Sequence, residues 1–191
     1  EAFMDYEQKC YAETAAINRA ANEYLKNSTE TDTILIAGDL SFNGEKESHI
    51  EYSKELKALK ESGKRIFVVT AGHDIEKNPF QYRGGERESA EGIKFYDLLD
   101  YYGEFGYNDA IAFNREHLSY VAQLSEDVRL LVLCNDTAEG KNVAYDDKFL
   151  KWIEEQAKKA KADGKMMIAM EHYPVLPGQP VLTLIPDARQ K

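Results

Sequence analysis

Three apolar runs that each stop in a polar corner constrain the fold of this chain more than any other feature. Residues 33–37 (TILIA) pass into Gly38-Asp39, residues 65–70 (RIFVVT) into Ala71-Gly72-His73-Asp74, and residues 165–170 (KMMIAM) into Glu171-His172-Tyr173-Pro174. Short, β-branched, solidly apolar runs separated by helical patterns read as strands of a parallel sheet covered on both faces, joined by right-handed crossovers. In such sheets ligands sit beyond the C-terminal ends of the strands. The pattern therefore predicts that Asp39, His73 with Asp74, and His172 gather at one edge of one sheet.

The intervening segments fit an α/β alternation. Residues 5–26 place Tyr6, Cys10, Ala16, Ile17, Ala20, Ala21 and Leu25 at helical spacing. A second helix is predicted over 46–62, with Ile50, Leu56 and Leu59 inward and Gly63 as its stop. Residues 75–92, with Asn-Pro, Gly-Gly and many charges, read as a long loop close to His73, and 93–105 as a short helix. Residues 118–124 and 129–134 read as an antiparallel strand pair turning at 125–127. Asn135, Asp136 and Thr137 follow the second of these strands at the expected site edge, where they either line a pocket or, more commonly, form a plain polar turn. The clearest amphipathic helix is 146–162, with Phe149, Leu150, Ile153 and Ala157 inward and Trp152 on its flank. The proline-bearing tail after Tyr173 reads as extended. No repeat or linker divides residues 1–191, so one domain is expected.

Composition narrows the partners. The net charge of -10 and pI near 5.0 disfavour a nucleic-acid backbone or an anionic membrane surface, since an acidic protein repels both. No apolar run reaches the roughly 18 residues that a membrane helix needs. A soluble domain is expected; no signal-like segment opens the chain, and compartment stays open, an export signal removed in processing included. Cys10 and Cys134 lack metal-site spacing to any other Cys or His, and read as buried or half-buried thiols. Oligomeric state is not legible.

The ordered corners resemble the calcineurin-like metallophosphoesterase family. Its blocks run Asp-x-His, Gly-Asp, Gly-Asn-His-Asp or Glu, a lone His, and Gly-His-x-His. Gly38-Asp39 matches the second block, Gly72-His73-Asp74 the third with a departure, and His172-Tyr173-Pro174 the fourth. The resemblance spans roughly residues 30–175. The first and last blocks do not occur within residues 1–191 and are expected beyond them.

The resemblance implies a layered α/β sandwich of mixed, largely parallel strands flanked by helices. It implies metal-dependent hydrolysis of phosphate mono- or diesters, with two divalent ions (Mn, Fe or Zn) in the complete protein and a small phosphorylated substrate. Whether residues 1–191 hold metal alone stays open. Asp39 would bridge the ions, His172 would bind one, and His73 would face the phosphate as donor or general acid. Gly72 falls where the family has a metal-binding Asn, and offers no side chain.

Such residue types suit the reaction: two cations about 4 Å apart neutralise the phosphate oxygens and supply a nucleophile near neutral pH, and carboxylate with imidazole suits Mn, Fe or Zn. Asp74 reads as a turn-forming or supporting residue. His49, in a polar helix start, and His117, in a charged loop, are expected to be solvent-exposed. Two other readings remain: a phosphoesterase-like binding domain that has lost metal ligands, and an unrelated doubly wound domain. The latter lacks support, because no GxGxxG, Walker-type or Gly-x-Ser-x-Gly motif follows a strand.

Overall fold

The computed structural model describes residues 13–138 and 145–173. Its elements run α1 (Thr14–Asn27), β1 (Thr33–Ala37), α2 (Lys46–Glu61), β2 (Arg65–Val69), β3 (Phe80–Arg83), β4 (Glu86–Ser89), α3 (Leu98–Tyr102), β5 (Ala112–Asn114), β6 (Ser119–Gln123), β7 (Val128–Leu133), α4 (Asp147–Ala162) and β8 (Met166–Glu171). The mixed α/β class is that of the expected fold. Cys10, the predicted helix start before residue 13 and the proline-bearing tail lie outside the described residues.

The expectation of one sheet is corrected. β1 and β2 form a parallel pair, whereas the third predicted strand, β8, pairs in parallel with β7 inside a second sheet of order β5-β6-β7-β8. The two sheets are held face to face by a common core. Ile66 and Val68 of β2, Tyr120 of β6, Leu130 and Val132 of β7 and Met170 of β8 share one apolar cluster, joined by Leu56 and Leu59 of α2. The Tyr120 hydroxyl also donates to the Val68 carbonyl at 2.9 Å, from one sheet to the other.

Strand periodicity explains the second core. On β6 and β7 the intervening residues Val121, Leu131 and Leu133 point away from the first cluster and pack under Tyr145 and Phe149, where α4 covers the sheet. A strand buried on both faces has no polar side to show, which is why 130–134 carries an unbroken apolar run. Cys134 is a buried free thiol there, as expected, and burial pushes its pKa up to about 12.

Two further expectations change. Residues 75–92 contain a hairpin, β3 with β4, turning through Gly84 and Gly85 at φ +61° and +91°. Both faces of this hairpin are largely exposed, so its strands carry charge without hydrophobic alternation and resemble a loop in sequence. Residues 93–105 hold a 3₁₀ turn, the short α3 and a π-type turn over Gly103–Tyr107, broken by Gly106 at φ +114°. Any Cβ on Gly106 would lie 2.3 Å from the Tyr120 hydroxyl, so the chain bends there around the sheet-bridging tyrosine.

Candidate metal centre

β1 and β8 belong to different sheets, but their C-terminal ends meet. The His172 ring stands against the end of β1, its Nδ1 2.7 Å from the Ala37 carbonyl oxygen and its Nε2 3.2 Å from Asp39 Oδ2. Two successive left-handed residues make this possible. Gly38 at φ +86° and Asp39 at φ +55° turn the chain sharply out of β1, and a side chain at Gly38 would lie 2.9 Å from Ala71 Cβ and 3.1 Å from His172 Nδ1. A non-glycine residue with positive φ costs on the order of 1 kcal/mol. That strain at Asp39 aims its carboxylate at His172.

The hydrogen bonds define the His172 tautomer. A carbonyl only accepts, so Nδ1 carries a proton, and Nε2 faces the carboxylate either as a second donor or as a lone pair sharing a cation with it. Burial lowers the His172 pKa, but the bonds to Asp39 and the Ala37 carbonyl outweigh it, and the net direction is upward.

A cation fits the same spacing. Ligand atoms about 2.1 Å from a divalent ion stand roughly 3.0–3.4 Å apart for angles between a right angle and the tetrahedral value, which brackets the 3.2 Å observed.

Asp136, for which the sequence favoured a plain turn, lies within the electrostatic reach of Asp39 and His172, although the three do not bring ligand atoms within 4.8 Å of one another. Its residue is 1 % exposed, and both carboxylate oxygens are buried without a hydrogen-bond partner among the described residues. Burial pushes its pKa up to about 6, opposed by Lys77, His172 and His73 and reinforced by the charge of Asp39. A buried carboxylate with neither oxygen satisfied is expensive unless it meets a cation. The neighbouring Asn135 Oδ1 is orphaned in the same way. Asp39, Asp136 and His172 thus offer the hard oxygen and imidazole donors that suit Mn, Fe or Zn.

His73 has a similar anchor: its Nδ1 stands 2.6 Å from the Phe42 carbonyl oxygen, which leaves Nε2 for other work. The acidic neighbour Asp74 does not orient the ring. It is fully buried and instead accepts backbone N–H groups from Leu40 (2.5 Å), Ser41 (3.1 Å) and Ala71 (2.8 Å), pinning the Asp39 loop to the end of β2. Burial pushes its pKa up to about 7, against those bonds. Glu45 secures the loop from the other side through the Phe42 and Asn43 amides.

The other two histidines depart from expectation, because both are buried. His49 is 0 % exposed, with Nδ1 2.7 Å from the Tyr102 hydroxyl. Its helical register with Tyr52, Leu56 and Leu59 was the available signal. His117 is 3 % exposed and stacks on Phe149 at 4.0 Å.

Among the described residues, Glu116, His117 and Asp146 are the one group of three such side chains whose ligand atoms lie within 4.8 Å of one another, close enough to hold a cation. Its carboxylates already have partners, however: Glu116 pairs with Lys148 at 2.5 Å and Asp146 caps α4 by accepting from the Phe149 amide at 2.7 Å.

Against known families, the model described as calcineurin-like phosphoesterase matches residues 8–187. No individual curated protein matches the chain.

Proposed function

We propose a function from one premise: the chain belongs to the calcineurin-like phosphoesterase family, whose members are metal-dependent phosphoesterases. The proposal is that Asp39, Asp136 and His172 hold a divalent cation beyond the ends of β1, β7 and β8, and that the site hydrolyses a small phosphate mono- or diester. The observation that supports it most is the unpaired, buried Asp136 carboxylate beside the Asp39–His172 pair. When bound, divalent cations neutralise phosphoryl oxygens and make a nucleophile available near neutral pH.

The chain's own residues supply the rest. Asp39 presents two oxygens, enough to bridge two ions in the dinuclear arrangement that the family resemblance implies. His172 gives Nε2, its tautomer fixed by the Ala37 carbonyl. His73, oriented by the Phe42 carbonyl, serves as proton donor to the leaving oxygen through Nε2. Asp74 touches no reacting atom in this scheme. It keeps the Asp39 loop and β2 in register through its three amide contacts.

The test is metal-dependent hydrolysis of aryl phosphate mono- and diesters by the full-length protein, with bound metal measured in parallel. Asp39→Ala is expected to lose both metal and activity. Full activity in chelator, or in Asp39→Ala, would overturn the reading. Retained metal and phosphate binding without hydrolysis of either ester would point to a binding domain.

A further inference from the structure

Position 72 is left unexplained by that scheme. Gly72 adopts no left-handed conformation, so no turn requires glycine there. What glycine provides is room. A Cβ at this position would lie 2.9 Å from Lys77 Nζ, 3.0 Å from the Tyr173 hydroxyl and 3.2 Å from Asp136 Oδ1. Three polar atoms thus converge on the point where a side chain would begin.

The lysine is carried there by an ordered backbone. The Glu76 amide donates to the Ile93 carbonyl at 2.9 Å and the Lys77 amide to the Asn43 carbonyl at 3.0 Å, which ties this segment to the chain on both sides. Asn78, with φ +55°, then turns the chain toward the hairpin. The Lys77 ammonium acts on the Asp136 carboxylate and opposes the upward push of burial on its pKa.

We propose that Lys77 is a phosphate-binding cation of the site: its ammonium takes the space that Gly72 leaves without a side chain and meets part of the charge of a phosphate group there. This rests on the phosphoesterase reading above. An ammonium binds phosphate as a compact point charge. In a chain of net charge -10, an incoming phosphate needs local positive charge to enter at all. A side chain at position 72 would contest the ammonium's place.

The test uses the full-length protein, loaded with Mn and dialysed, with metal counted by elemental analysis and inorganic phosphate affinity measured by calorimetry. Lys77→Met is expected to keep the wild-type metal content and to bind phosphate about 10- to 100-fold more weakly, the usual loss for one charge-assisted contact, with Lys77→Arg recovering most of it. Asp39→Ala, by contrast, loses the metal. Unchanged phosphate affinity in Lys77→Met overturns the lysine proposal while leaving the phosphoesterase reading in place. A wild type that holds neither metal nor phosphate overturns both.

Discussion

Two pairs of histidines show how the strand-end corners of this molecule differ from its interior. His172 and His73 stand at strand ends, each with Nδ1 held by a backbone carbonyl, of Ala37 and Phe42 respectively. His49 and His117 sit in the two cores, one with Nδ1 against a tyrosine hydroxyl and one stacked on a phenylalanine ring. A carbonyl can only accept, so it fixes one tautomer and leaves Nε2 available. A hydroxyl can donate or accept, and fixes neither. In His49 the second nitrogen is buried without a partner, and burial lowers its pKa to about 4. Burial alone therefore makes an inert imidazole; a directed backbone acceptor makes one prepared for a cation or a proton transfer.

The sharpest way to break this comparison is His73→Ala in the full-length protein. As the proposed proton donor it should leave metal content intact and lower turnover by about 10²–10⁴-fold. If His73→Ala keeps full rate while a core variant such as His117→Ala loses it, the distinction drawn from the carbonyl anchors is wrong.

A smaller effect tests the framework under the site. Asp74→Ala removes the acceptor of three amide bonds at a fully buried position. Leaving those donors unmet should cost on the order of 3 kcal/mol. Denaturant unfolding measures it. A loss below about 1 kcal/mol, the usual worth of a single hydrogen bond, would mean that Asp74 is not what holds the Asp39 loop.

The strand ends were legible in sequence because burial and chemistry meet there: an apolar run stops and a Gly-Asp or His follows at once. Asp39, His73 and His172 were singled out that way, and Asp39 and His172 do meet in the structure. Asp136 was not singled out, because Asn-Asp-Thr after a strand reads the same whether solvent or protein surrounds it, and only the packing shows both oxygens shielded. The sheet assignment failed for a related reason. β8 would run parallel to a neighbour in either sheet, and sequence carries no record of which neighbour it chose. His49 was partly legible: its polar neighbours suggested exposure, but its own register with Leu56 and Leu59 placed it on the buried face. Lys77 carried no signal at all, since its role depends on the space at Gly72.

An effect of similar size to that of Asp74, but spread over a pH range, concerns the core side of the comparison and follows from the sign of the His49 shift. Burial depresses its folded pKa to about 4 from the ordinary 6.5, so the folded protein keeps His49 neutral where the unfolded chain binds a proton. Below about pH 6.5 the unfolded state therefore gains protons that the folded state does not, and stability falls as pH drops, levelling off below pH 4. The full shift corresponds to a loss on the order of 3 kcal/mol. Asp74 and Asp136 shift the other way, with folded pKa values raised to about 7 and 6, and so add stability as pH falls over an overlapping range. The net slope of the wild type is thus a small difference between opposing groups. The His49 part is isolated by comparison with His49→Gln, which cannot titrate. Between pH 7 and 4 the wild type should lose stability relative to this variant, by denaturant unfolding at each pH, while metal content at pH 7 stays equal in the two proteins. A constant difference across that range would mean that the His49 cavity admits a proton freely, and would remove the contrast between the inert histidine and the prepared ones.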